Sequence, residues 1–415
     1  MNGRKVPIPR TFHAFRSPGY RYLWPSSFIA YTCRWMLLTL LSWFVLETTD
    51  SPWLVSLVGF FSMIPMFLLG MLGGVLADTV DRRRLLIATH AASLASGLAM
   101  TALLLSGAAM FWHAYPVVLV VGVAWALDMP SRRSLMHDLV GRAGLNNAVA
   151  LDSVGMAGSM MLAPALAGFL ITLVGVTGGL VTVAFLYLVS LALLSRLAAP
   201  GGQVRGGGGA GLLHELVLGL RYVAGHRVLR SMLVITVVMN LLMFPYVQMV
   251  PVMARDVLHV GPDLMGILQA GTGVGSLVGA IFIASVLSIR YHGRLYLIGS
   301  GFSFVALLVF SVSTRYAVSL PTLVIMGLGV AAFSTMQASM TMLVSTEEMR
   351  GKALGVVTLA IGAGPFGALL LGAVADLTSI GRALQLNAAA GLVCVILVGL
   401  FMPALRERTP VVPRK

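Results

Sequence analysis

The 415-residue chain is 58% hydrophobic, only 10% charged, and carries a net charge of +14. Soluble domains run near a quarter charged, so these residues cannot clothe the surface of an ordinary soluble protein of this length. The mean hydropathy of +0.93 points instead to a chain that crosses a membrane many times.

The N-terminus is basic (Arg4, Lys5, Arg10, Arg16), but the first apolar run, 23–46, is long and lacks a small-residue cleavage site. It reads as an uncleaved first span. Five more runs follow at 53–77, 85–106, 112–130, 146–174 and 177–198. Six others lie at 230–254, 262–288, 294–314, 317–343, 353–376 and 383–404. Gly and Pro inside them are tolerable in lipid, where neighbouring helices restore freed backbone partners. Between the two sets, 199–229 opens with PGGQVRGGGGAG, a flexible linker, and continues as LLHELVLGLRYVAGHRVLR. That pattern predicts an amphipathic surface helix. The expected organisation is a six-helix bundle over 1–198, a linker over 199–229, and a second six-helix bundle over 230–415.

Charge gives the orientation. With the N-terminus inside, 24 of the 28 Lys and Arg fall in segments facing the cytoplasm. The other face receives only Arg255, Arg315 and Arg382, and Arg34 is left inside the first span. This is the positive-inside distribution, with both termini cytoplasmic. The basic excess is thus explained by topology and anionic lipid, and no nucleic-acid partner is needed.

The halves echo one another. LAPALAGFL carries Pro164 in the fifth span, and GAGPFGALLLG carries Pro365 in the eleventh. Small residues four apart, Gly70 and Gly74, then Gly271, Gly275 and Gly279, favour close helix crossings in lipid. Repeated halves with such seams suit transporters that rock about a central site.

GGVLADTVDRRRLL resembles the loop between spans two and three of the major facilitator superfamily, G-x-x-x-D-[RK]-x-G-[RK]-[RK]. Gly74, Asp78, Arg82 and Arg83 occupy matching positions; Thr79 and Asp81 depart from it. The aspartate before the arginines resembles the bacterial drug and siderophore exporter branch, enterobactin exporter-like. Three further stretches, 126–153, 250–280 and 349–376, resemble the same branch. The resemblance implies an all-α membrane protein with the major facilitator fold, twelve helices in two bundles. It also implies a conformational latch in which Asp78 contacts the start of span eleven, near Arg350 and Lys352. A carboxylate beside a helix N-terminus gains about 0.3–1 kcal/mol. The alternative is that these charges only set topology.

Within the spans, Arg34 is the sharpest feature. A lone arginine at mid-membrane is costly unless paired or facing water. It is a candidate contact for an anionic substrate group or a proton-carrying acid, or one member of a structural pair. Asp128 and Asp152 are the candidate coupling acids; Asp128 is placed at the end of span four, where it either couples or pairs Arg132 or Arg133. Tyr31, Trp35, Trp125, Asn240, Tyr246, Gln248 and Gln337 are candidate substrate-cavity residues. The 24 methionines suit a pliable apolar pocket, and His90 is a further polar group inside a span.

No phosphate-binding loop, nucleophile–base arrangement or metal-ligand spacing is found, and Cys33 and Cys394 form no metal motif. Catalysis is not expected. The resemblance implies a secondary transporter of the bacterial inner membrane that exports a hydrophobic or amphipathic small molecule by proton antiport. The proton gradient would supply the energy, with no cofactor, and a monomer is expected. Alternatives are a siderophore or metabolite exporter, a lysolipid flippase, and a transport-inactive membrane sensor.

Overall fold

The computed structural model describes residues 10–197, 212–285 and 290–408. The glycine-rich part of the linker lies outside them, as do the side chains of 70–79. After a short 3-10 turn at Arg10–Arg16, span one runs Tyr20–Thr49, span two Pro52–Thr79 and span three Arg82–Leu105. Helix then continues from Ala114 to Ser195, broken only at Gly141 (φ 66, ψ 179) and Gly175 (φ 71, ψ 177). That backbone region is essentially closed to residues with a β-carbon. The two glycines therefore cut one helical stretch into spans four, five and six.

The linker helix occupies Leu212–Gly225 and span seven runs Arg227–Val257. Span seven holds π-helical turns at Met239–Met243 and Met253–Val257, each beside a proline, Pro245 or Pro251. Proline removes an N–H donor and crowds the preceding turn, and the widened turn before Pro245 absorbs that misfit. Spans eight to ten are Pro262–Ser285, His292–Val312 and Tyr316–Val344. Span eleven is Glu347–Ile361 followed by Gly364–Leu377, interrupted just before Pro365, and span twelve is Ile380–Phe401. Eleven described helices are long and apolar enough to cross a membrane when spans five and six are taken as one. Divided at Gly175, they are twelve.

Two sequence expectations change. Span four does not stop at 130; its helix continues to Gly141, so Asp128 lies near its middle rather than at its end. The extension SRRSLMHDLV is polar in sequence, yet Ser131 and Arg132 are buried at 0% and 1% exposure. Arg132 is an interior residue, not a loop cation. Its bonds within the first half replace the water it would otherwise need.

The second change concerns the small-residue seams. Gly275 and Gly279 in span eight face span ten, where a Cβ would overlap the Val324 carbonyl or press on Ala331. That seam lies within the second half. The halves meet through other glycines. Gly168 faces the Pro262 carbonyl, Gly266 faces the Pro164 carbonyl, Gly372 faces Ser56 and Gly362 faces Phe67. Spans five and eight thus cross backbone to backbone, whereas in the crossing of spans two and eleven the glycines of span eleven receive the side chains of Ser56 and Phe67. The linker helix lies over the start of span eleven: Gly219 sits against the Lys352 carbonyl, and Tyr222 Oη accepts from Thr346 N at 3.3 Å.

We call the face carrying the start of span one, the linker helix and the end of span twelve the basic face. Side-chain links between the halves are described toward the other face. Thr39 Oγ1 donates to Gln269 Oε1 at 2.9 Å, and Ser51 Oγ to Asp376 Oδ1 at 3.1 Å. Arg255 reaches Asp50 Oδ1 at 2.7 Å and the Leu46 carbonyl at 2.9 Å. Asp50 holds the left-handed C-cap of span one (φ 53), so this arginine sits where the helix dipole favours a cation. The pair is partly solvated, and such pairs contribute about 0.2–1 kcal/mol. Replacing Arg255 by Gln is expected to change initial transport rates by no more than about fivefold, the equivalent of 1 kcal/mol. Rates compared at low and high salt check this, and the difference from wild type should shrink as salt rises.

Candidate functional site

The first half encloses a chain of polar side chains drawn from spans one, three, four, five and six. Arg132 and Asp128 are one helical turn apart on span four, so their side chains share a face. Arg132 Nε and Nη2 each donate to an Asp128 oxygen at 2.6 Å, a forked pair. Such charge-assisted forks fix geometry as well as charge. Arg132 Nη1 also donates to Ser27 Oγ of span one. From span three, His90 Nε2 stands 3.0 Å from Asp128 Oδ2, and its Nδ1 stands 2.9 Å from Ser190 Oγ of span six. Ser190 in turn meets Ser26 Oγ at 2.8 Å. Tyr31 Oη donates to both oxygens of Asp152 on span five at 3.0 Å, and the Arg132 guanidinium lies 5.1 Å from the Tyr31 ring centre.

Arg34 stands apart from this network. It is 3% exposed. Its guanidinium lies 4.5 Å from the Trp125 ring centre and 5.5 Å from that of Trp35. Nη2 is 3.9 Å from Met63 Sδ, a weak acceptor, and Nε has no hydrogen-bond partner. Among the described residues no carboxylate lies within ion-pair distance of it. Asp128 instead pairs with Arg132, one of the two partners the sequence offered it, and Arg132 occupies both carboxylate oxygens. A cavity of about 20 Å³ separates the two arginines, lined by Arg34, His90, Ser93, Trp125, Asp128, Arg132 and Tyr187.

A second cavity, of about 120 Å³, lies between the halves. Its wall takes Trp35 and Thr39 from span one, Met160 and Pro164 from span five, Phe244, Tyr246 and Gln248 from span seven, and Gln269 and Thr272 from span eight. Tyr246 Oη and Thr272 Oγ1 are 2.7 Å apart. Of the seven cavity candidates, Trp35, Tyr246 and Gln248 line this cleft. Trp125 lines the smaller cavity, and Tyr31 belongs to the Asp152 pair. Asn240 and Gln337 line neither. Asn240 Nδ2 donates to the Thr236 carbonyl and Gln337 Nε2 to Thr236 Oγ1, both at 2.8 Å, and Thr236 also meets Tyr296 Oη at 2.9 Å. They form a neutral network that joins helices inside the second half.

The candidate latch divides as well. Gly74 and Asp78 lie outside the residues whose side chains are described. Arg82 forms an ion pair with Asp138, and Arg83 donates to the Leu194 and Ser195 carbonyls at 3.1 and 2.6 Å. These bonds stay within the first half; Arg83 caps the end of span six, where the exposed carbonyls favour a cation. Asp81, which replaces the usual glycine, is the N-cap of span three and accepts from Arg84 N at 3.0 Å, a role for which aspartate is among the best residues.

Sequence reading missed the partnership of His90 with Asp128, the seating of Arg132, and the Thr39–Gln269 bond. Their signals were slight: a histidine, a serine pair and single amides, each isolated in an apolar run.

Comparison with known proteins matches these observations. Residues 10–411 fit the model of a family described as transmembrane secretion effector. A multidrug efflux pump named Tap from Mycobacterium tuberculosis is 29% identical over 388 residues, covering 88% of each chain. A staphyloferrin A transporter from Staphylococcus aureus is 23% identical over 389 residues, covering 92% of this chain and 96% of its own. Among solved structures, an auto-inhibited peptide transporter of the POT family superposes with a TM-score of 0.76 at 14% identity, covering 96% and 99% of the two chains. A bacterial homologue of the lysosomal transporter Spinster, solved inward-facing and occupied, gives 0.73 at 14% identity over 96% and 99%. At those identities the likeness concerns fold alone, and it is the major facilitator fold of two six-helix halves. With its family model matched across nearly its whole length, the chain belongs to the transmembrane secretion effector family, multi-pass membrane transporters of the major facilitator type.

Proposed function

We propose that this transporter exports amphipathic or hydrophobic small molecules by alternating access, driven by protons moving the other way. One observation carries the reading: a cleft lined by both halves, with aromatic rings, a thioether and two amides on its wall, lies on the basic side of the Thr39–Gln269 bond and the other bonds that join the halves. Apolar walls with a few convergent polar groups suit small amphipathic ligands. The cleft is smaller than the roughly 300–1,000 Å³ of ordinary ligand pockets, so a drug-sized molecule requires the halves to rock apart. The multidrug efflux pump among the relatives supports this substrate class.

Among the described residues, the fully buried charges, Arg34, Asp128 and Arg132, all belong to the first half. Intramembrane ionisable groups are expensive and commonly serve ion or proton movement. Asp128 with His90, and Asp152 with Tyr31, are the groups we assign to proton coupling. Asp78 is assigned to latching span two to span eleven when the basic face closes, with the basic face and both termini cytoplasmic and the protein acting as a monomer. A second reading, export of a siderophore-like acid, draws on the staphyloferrin A transporter and on the lack of a carboxylate partner for Arg34.

The test is reconstitution in liposomes with an imposed pH gradient and a lipophilic cationic dye, repeated with an acidic siderophore. Gradient-dependent movement of the dye is expected, lost on collapsing the gradient with an ionophore and reduced by Asp78→Asn. Equal movement with and without the gradient would defeat the antiport reading.

A further inference from the structure

The cavity between Arg34 and Arg132 has an unbalanced wall. It carries two guanidinium groups and one carboxylate, Asp128. Arg132 is fully engaged: Nε and Nη2 fork onto Asp128, and Nη1 donates to Ser27. One positive charge is left over, and it belongs to Arg34. That guanidinium offers five donors in a plane. Trp125 covers one face at 4.5 Å, and Met63 Sδ is a poor acceptor at 3.9 Å. Nε is buried with no partner. A cation–π contact does not supply the in-plane acceptors that a desolvated arginine needs. Asp152, the other acid of this half, is bonded to Tyr31 and does not line the cavity. An arginine 3% exposed, with a surplus charge and open donors, is thus kept beside this space.

From this geometry we infer that the cavity is a binding site for one small monovalent anionic group, seated between Arg34 and the Trp125–Tyr187 wall. The volume of about 20 Å³ exceeds the roughly 10–15 Å³ that holds a single water, which suits a halide ion or the carboxylate end of a larger molecule. One negative charge neutralises the wall and meets the open donors of Arg34. His90 stays committed to Asp128 and Ser190, so it takes no part in holding the anion. The site stands independently of the transport reading, since binding is measured on purified protein without flux. A failure here leaves proton-driven export untouched, and the reverse also holds.

The experiment uses the purified full-length protein in detergent with sodium sulfate, whose second charge the cavity wall does not balance, at constant ionic strength. Sodium chloride replaces it stepwise in one arm and sodium acetate in the other, while tryptophan emission and the thermal midpoint are followed. Wild type should show a saturable change in both readouts. Arg34→Met should lose it and melt higher than wild type in sulfate, because an unpaired buried charge has gone. Ala124 also lines the cavity, so Ala124→Leu keeps Arg34 and fills the space; it should lose the response as well, which covers the case of Arg34→Met failing to fold. Saturation by chloride identifies a free halide; saturation by acetate alone identifies the carboxylate end of a bound molecule. No saturable response to either salt in wild type, or a response unchanged in the variants, overturns the site.

Discussion

Asp128→Asn should be among the most destabilising single changes in the molecule, and adding Arg132→Met should repair the damage. The asparagine removes the only carboxylate in the cavity wall, leaving Arg132 desolvated beside an already unpartnered Arg34. Removing one member of a buried ion pair costs about 3–5 kcal/mol, whereas replacing both by apolar groups of similar size is often neutral or favourable. The single variant is expected to be recovered in low yield, with a clearly lower thermal midpoint in detergent. The double variant Asp128→Asn/Arg132→Met is expected to return near the wild-type midpoint. Its transport then isolates function from folding. If Asp128 carries the proton, the stable double variant moves substrate only down its own gradient and no longer responds to an imposed pH gradient. A double variant as unstable as the single one would show that the pair is not the unit we describe.

The second large effect is expected at the crossing of spans five and eight. Gly168→Leu or Gly266→Leu sets a side chain against the carbonyl of Pro262 or Pro164. A flexible side chain can give way, but a helix carbonyl cannot without moving its helix. Overpacking costs about 1–3 kcal/mol, and because this contact joins the two halves, the cost falls on the state in which that face is closed. A bias of about 1–3 kcal/mol corresponds to a 5- to 150-fold shift in population. Substrate flux should drop by a comparable factor while expression and thermal stability stay close to wild type. Spin labels at Met110 and Thr378, both exposed at that face, should report a longer distance in the variant. Gly275→Leu is the useful contrast: its neighbour Val324 belongs to the same half, so the expected damage is to folding.

The two cases also separate what sequence discloses from what it conceals. The spans are legible because hydrocarbon thickness demands about 20 apolar residues for each crossing, and no arrangement of neighbours relaxes that. The end of span four was not legible. Ser131, Arg132 and Arg133 read as a loop, and only the Asp128 and Ser27 partners make a buried arginine affordable. The glycine seams were visible as seams, but spacing alone does not say which helix lies opposite. Gly271, Gly275 and Gly279 have the more regular pattern yet serve one half, while Gly168 and Gly266 join the two. The cleft was half legible. Tyr246 and Gln248 line it, but Asn240, on the same span, turns inward to Thr236, a difference set by the π turn that redirects the helix between them.

The seating of Arg34 has a consequence for how the protein is made. The arginine belongs to span one, but Trp125 and the charges of span four are encoded roughly ninety residues later. At 5–20 residues per second, the nascent chain carries this guanidinium for roughly 5–20 s before Trp125, the nearer of its two ring partners, exists. During that interval the first helix has to wait beside the insertion machinery or in a shallow, tilted pose with the arginine reaching for headgroups. Its final seat is settled only when span four arrives, so the first half is assembled around a charge made before the ring that covers it.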